Sequence, residues 1–182
     1  MQKVQESLGP KLTVNWRFFS LEQVNSQQGA GWKIWEQPDD YPGRGLRAFR
    51  AAQAARNQGE DAFYSYHMAL IRARNEQRRD IANTNTLVEL AGSVGLDIDR
   101  FKKDLDDRQI LDRLAQDHTH AVDNLGIFGT PTLVFPEEQA VFLKMSPPPA
   151  PEDSLSVFTE IRQLAENRRN IQEVKRPARP NR

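Results

Sequence analysis

The sequence predicts an α/β protein, a mixed sheet with helices packed on it. Three observations predict it. Residues 12–18 alternate apolar and polar; two short apolar runs near residues 132–143 read as a hairpin; and the long stretch between shows helical periodicity with no strand signal. The strands at either end need each other, so the helices between them form an insertion of about half the chain.

Residues 1–8 read as the end of a helix. Val4 and Leu8 share a face at i, i+4, Gly9-Pro10 is a strong stop, and no N-cap precedes them. Leu12, Val14, Trp16 and Phe18 then point one way and Thr13, Asn15 and Arg17 the other, the pattern of a strand with one drier face. Ser20 to Asn25 is a polar exit, followed by a loop carrying Trp32, Trp35, Pro38, Tyr41, Pro42 and Gly43.

Helical spacing begins at Leu46, Phe49 and Ala52 and stops near Gly59; Phe63, His67, Leu70 and Ile71 mark a second helix running into Arg72, Arg74, Arg78 and Arg79. Thr86 and Glu89 have capping-box spacing before a third, which stops at Gly92 or Gly95. Asp97 caps a fourth over 98–106. A fifth, ended by Gly126, turns Ile110, Leu111, Leu114, Ala121, Val122 and Leu125 inward. Residues 132–135 and 140–143 are short apolar strands joined by 136–139, an antiparallel hairpin. After the Pro-rich stretch at 147–151, a capped helix from Asp153 faces Leu155, Phe158, Ile161 and Leu164 inward. The basic tail from Lys175, with its two prolines, is expected to be disordered.

Composition narrows the function. Lys plus Arg and Asp plus Glu are 25 each, so the balanced charge gives no electrostatic case for nucleic acid or an anionic membrane. No apolar run approaches the ~18 residues of a membrane span. The cysteine count is 0, which excludes a thiolate nucleophile, a disulfide or Cys-ligated zinc within these residues. His118 and His120, two apart on one helix, point to different faces, and no acidic cluster completes a metal site with them. His67 falls on an apolar helix face and reads as a core or boundary residue. The arginines at 72–79 read as a solvated helix face. Trp32, Trp35 and Tyr41 either line a groove or pack on the helices, and packing is the expected outcome.

The most informative stretch is Gly126-Ile127-Phe128-Gly129-Thr130-Pro131-Thr132-Leu133-Val134-Phe135. A proline one residue before a buried strand removes a donor where the sheet would use it. A cis Thr130-Pro131 bond would turn the chain there and expose the backbone of Thr130 at the sheet end; an ordinary trans turn into a hairpin is the alternative.

This segment resembles the cis-proline loop of thioredoxin-fold proteins of the DsbA-like family. The stretch Val14-Asn15-Trp16-Arg17-Phe18-Phe19-Ser20-Leu21-Glu22-Gln23-Val24-Asn25 is similar to that family's second strand and its Phe-Ser-Leu exit, and Gly95-Leu96-Asp97 before a helix carrying Phe101 is similar to part of its helical insertion. The resemblance covers roughly residues 1–168. It implies a thioredoxin-like mixed sheet with a discontinuous core at 1–43 and 126–170, an all-helical insertion at 44–125, and a basic tail at 171–182. Family members open with a strand and a Cys-x-x-Cys pair at a helix N-terminus, where the thiolate attacks a disulfide. Both are missing here, so the resemblance implies an N-terminally truncated reading that begins within the family's first helix. The absent strand would lie centrally, and its neighbours would lose ladder bonds worth roughly 1–3 kcal/mol for each unmet buried group.

The resemblance therefore implies a thiol–disulfide oxidoreductase or isomerase whose reactive pair is not in these residues, leaving the chain inactive as it stands. Two alternatives stay open: the glutathione-dependent kappa-class transferases and 2-hydroxychromene-2-carboxylate isomerases, which use a serine at the missing position, or a non-catalytic binding module. The in-frame sequence upstream of Met1 distinguishes the three. No catalytic residue is expected; the substrate-binding residues expected are Phe128, Gly129, Thr130 and Pro131, with a protein or small thiol such as glutathione as partner and no cofactor or metal. Cytoplasmic relatives with such an insertion make that compartment the expectation.

Overall fold

The structure, a computed structural model, describes residues 1–29, 31–43 and 45–176. The expected disordered tail lies outside the described residues from 177 onward, and residues 171–176 carry no regular element. The chain divides into two compact units, residues 1–16 with 129–182, and residues 17–128.

The second unit is helical. After the short helix α2 (Leu21–Val24) come α3 (Leu46–Arg56), α4 (Glu60–Asn75), α5 (Thr84–Ser93), α6 (Ile98–Asp106) and α7 (Leu111–Asp123). α3 is the hub, packing on α4, α5, α6 and α7 through a row of small residues. Ala51, Ala54 and Ala55 are fully buried there, letting neighbouring helices approach closely. Tyr66, Phe63, Phe101, Leu87, Leu105 and Leu114 fill the interior, each contributing about 1.5–3 kcal/mol on burial. The Tyr66 hydroxyl donates to the Leu87 carbonyl at 3.2 Å, satisfying the one polar atom of a fully buried ring. Buried Arg50 donates from Nε to the Leu105 carbonyl (2.8 Å) and from Nη1 to Asp39 (2.6 Å), and Arg108 reaches the same Asp39 oxygen at 2.6 Å. These bonds tie α3 to the end of α6 and fasten the loop at residue 39 to α3 and to the turn that follows α6.

Residues 17–43, grouped by sequence with the strands, cluster with the helices instead. Phe18 and Ile34 account for this: both are buried, and the Phe18 ring meets Phe49 at 5.7 Å and Phe63 at 6.2 Å, edge to face. The polar exit read at 20–25 contains α2, because Ser20 accepts from the Gln23 amide at 3.1 Å and caps a turn.

The first unit holds α1 (Gln2–Leu8), the strands β1 (Thr132–Phe135) and β2 (Gln139–Phe142), and α8 (Ser154–Asn167). α1 packs on α8, with Val4 buried, and α8 packs on both strands. The strands pair antiparallel with Thr132 opposite Phe142 and Phe135 opposite Gln139. Leu133, Phe135 and Val141 share one face, and Phe135 meets Phe158 of α8 at 6.0 Å. β2 begins one residue earlier than its apolar run suggests, because Gln139 pairs and only residues 136–138 turn.

Residues 12–18 correct an expectation. They alternate in exposure as predicted, and Leu12 has extended angles (φ −131°, ψ 112°), yet they join no ladder. Among the described residues the only sheet is the β1–β2 pair. Alternation specifies an extended chain with one dry face; a strand also needs a neighbour, which local pattern does not provide. No helix of the described residues is long and apolar enough to cross a membrane.

Caps follow sequence at Asp97, whose carboxylate accepts from the Arg100 amide at 3.0 Å. They differ at α5: Asn83, not Thr86, is the cap, accepting from the Asn85 amide at 2.9 Å, and Glu89 pairs with Arg79. At α8 the Asp153 side chain makes no cap hydrogen bond; its carbonyl accepts from Ser156 Oγ at 2.9 Å.

Candidate functional site

The turn entering β1 is built by three small contacts within the first unit. Gly129 is buried, and its α-carbon lies under the Phe142 ring, where an added β-carbon would meet Cε2 at 3.2 Å. The Thr132 hydroxyl donates to the Gly129 carbonyl at 2.8 Å. The Leu143 amide donates to the Pro131 carbonyl at 3.0 Å, extending the hairpin by one bond. The Thr130–Pro131 peptide is cis. Thr130 and Pro131 are exposed, and among the described residues no group hydrogen-bonds to the main chain of Thr130.

Phe128 is the last residue of the other unit and is 66% exposed. Before it, Gly126 at φ +62° ends α7, its amide returning to Val122 (3.2 Å) and that of Ile127 to Ala121 (2.9 Å). Of the four residues expected to form the site, Gly129, Thr130 and Pro131 are thus placed together on a clamped turn, with Phe128 preceding them in the chain.

Chemically, this turn offers main-chain donors and acceptors and no titratable side chain. It can pair with an extended partner; it cannot by itself transfer a proton or attack an electrophile. No cysteine exists in the sequence, and no group of three metal-ligating side chains occurs among the described residues.

The structure also shows polar residues whose role sequence reasoning missed. Asp117 and His118 on α7 are 7% and 4% exposed. Asp117 Oδ2 accepts from the Phe18 amide at 3.1 Å, while its Oδ1 accepts from Arg17 Nη1 at 3.4 Å and is ion-paired with Arg113, whose Nε lies 3.0 Å away. His118 Nδ1 accepts from the Ser20 amide at 3.1 Å. Alternate amides of an extended segment, which a neighbouring strand would ordinarily bind, are therefore bound by side chains of a helix. The signal was available: counting from Leu111 and Leu114, positions 117, 118 and 121 continue the inner face of α7. His120, two residues on, is exposed beside Asn124, as its opposite facing predicts. Trp35 packs its ring on His118 at 5.4 Å, and Trp32 packs on Tyr41 at 5.9 Å.

His67 is half-buried and stacked on Phe63, with ring centroids 5.4 Å apart. Burial and the neighbouring Arg56 charge push its imidazole down from 6.5 to about 4. Arg56 itself lies over the Phe63 ring at 3.7 Å.

A family model described as DSBA-like thioredoxin domain matches residues 1–153. Among curated proteins, the chain is 39% identical over 85 residues to a Na(+)/H(+) antiporter NhaA 3 of Salinispora tropica, a match covering 47% of this chain and 12% of that protein. The match thus spans a small part of that relative's length.

Proposed function

The chain belongs to the DSBA-like thioredoxin domain family, and we propose that within it these residues supply the partner-binding side of a thiol–disulfide oxidoreductase site, without the reactive side. The observation that carries this reading is the Gly129–Pro131 turn, clamped by Thr132 and Phe142, whose Thr130 backbone is left open at the end of β1. An extended peptide bearing a thiol or disulfide can hydrogen-bond there through its main chain. Exchange itself needs a thiolate that attacks one sulfur and expels the other, and no cysteine is present to form it. The 182 residues are therefore expected to bind such a partner and leave its sulfur chemistry unchanged.

The test is an amide-resolved NMR titration of the chain with an extended cysteine-containing peptide and, separately, with reduced glutathione, alongside an insulin-reduction assay. The reading expects peptide-dependent shifts concentrated at residues 129–133 and no reduction above the buffer rate. Shifts with glutathione alone would move the assignment to the glutathione-dependent branch. Measurable reduction, or shifts confined to other regions, would overturn the proposal.

A further inference from the structure

The Ser20–His118 contact has a chemical condition attached. A backbone N–H can only donate to a ring nitrogen that carries no proton, so the Nδ1 of His118 is bare and the ring proton sits on Nε2. Protonating the ring puts an N–H where the acceptor was, facing the Ser20 N–H head on. Ser20 is 2% exposed, so its amide has no water to turn to when that bond is lost.

We propose that His118 is a proton-operated latch on the segment around Ser20: neutral, it holds the segment against α7, and charged, it releases it. The surroundings shape the latch. The ring lies between Phe19 (4.7 Å) and Trp35 (5.4 Å), which keep water from solvating an imidazolium. Burial and the Lys33 ammonium on the turn at residues 33–36 disfavour its charging; Asp123, on its own helix, favours it. Asp117 next door is committed to the Phe18 amide and to Arg17 and Arg113.

Release would not stop at Ser20. Its hydroxyl caps α2 by accepting from the Gln23 amide (3.1 Å), and the Gln23 carboxamide bridges the Trp32 carbonyl (3.0 Å) and the Ile34 amide (2.8 Å). Ile34 is 1% exposed. One proton therefore acts on a chain of four linked contacts spanning residues 20–34, a two-state element biased by a single local charge.

Native-state amide exchange on the full chain, from about pH 8 to about pH 5, reads this directly. The opening equilibrium of the Ser20 amide, corrected for intrinsic exchange chemistry, should rise by up to about tenfold per pH unit as pH falls below the ordinary imidazole pKa of the released ring, about 6.5, and level off only once the latched ring also charges. His118→Asn places a non-titrating Oδ1 near the position of Nδ1, and its Ser20 opening should be flat over the same range. An equal slope in that variant, or a constant Ser20 opening while the wild-type ring titrates, would overturn the latch. Should the variant fail to fold, ring nitrogen shifts of the wild-type protein decide: a proton on Nδ1 at neutral pH rules the proposal out.

Discussion

The Phe142 ring covers the α-carbon of Gly129 so closely that a β-carbon would approach its Cε2 to 3.2 Å. Gly129 is therefore required by close approach of a ring. Gly129→Ala is expected to cost about 1 kcal/mol, because Phe142, 40% exposed, can yield by a few tenths of an ångström. Urea unfolding of Gly129→Ala, Phe142→Leu and the double variant checks it: the smaller side chain should remove most of the cost, a coupling that independent sites would not show.

Removing the Asp117 carboxylate should be more damaging. Asp117→Ala leaves the Phe18 amide without its acceptor and Arg113 without its partner, a loss of about 3 kcal/mol. Asp117→Asn keeps an oxygen that can take the amide and should lose less than half of that. Equal denaturation midpoints for the two variants would show that the amide contact is not what matters.

His67 should give the protein an acid-sensitive limb of its own. With a pKa near 6.5 unfolded and about 4 folded, the native state binds fewer protons between those values. Its contribution is complete above pH 6.5, falls as pH drops, and levels off below about 4, a total of about 3 kcal/mol. His67→Leu should flatten that part of the stability-against-pH curve. His118 contributes in the same direction, so some slope should survive in this variant and disappear only when both rings are replaced.

The β1–β2 turn carries two glutamates in the left-handed region, Glu137 at φ 57° and Glu138 at φ 59°. That conformation suits glycine or asparagine. Glu138→Gly should stabilise the first unit by about 0.5–1 kcal/mol, read as a raised melting temperature. Glu137 is the poorer choice because its carboxylate pairs with Arg169.

What the sequence made legible and what it hid follow one physical division. Elements stabilised by their own residues could be read: Asp97 announces α6 because its carboxylate bonds an amide three residues on, and Leu111 and Leu114 announce α7 by their spacing. Features that depend on a distant partner could not. Leu12, Val14, Trp16 and Phe18 alternate as a strand would, but nothing nearby says whether a second strand stands beside them. The same blindness hid Asp117 and His118, which look like polar interruptions of an apolar face until the amides of Phe18 and Ser20, about a hundred residues away, are brought to them. The Thr130–Pro131 turn was the exception, marked by a proline set one residue ahead of an apolar strand. Its ring of supports, Thr132 and Phe142, was not.

The hairpin leaves a practical legacy. Val134 is 46% exposed, Phe142 on the same face is 40% exposed, and among the described residues neither strand of this ribbon has a second ladder partner. Such a ribbon is adhesive, prone to stack against other ribbons as concentration rises. Val134→Lys places a charge on that face while leaving the ladder intact, and should raise the concentration at which light scattering first detects clumping.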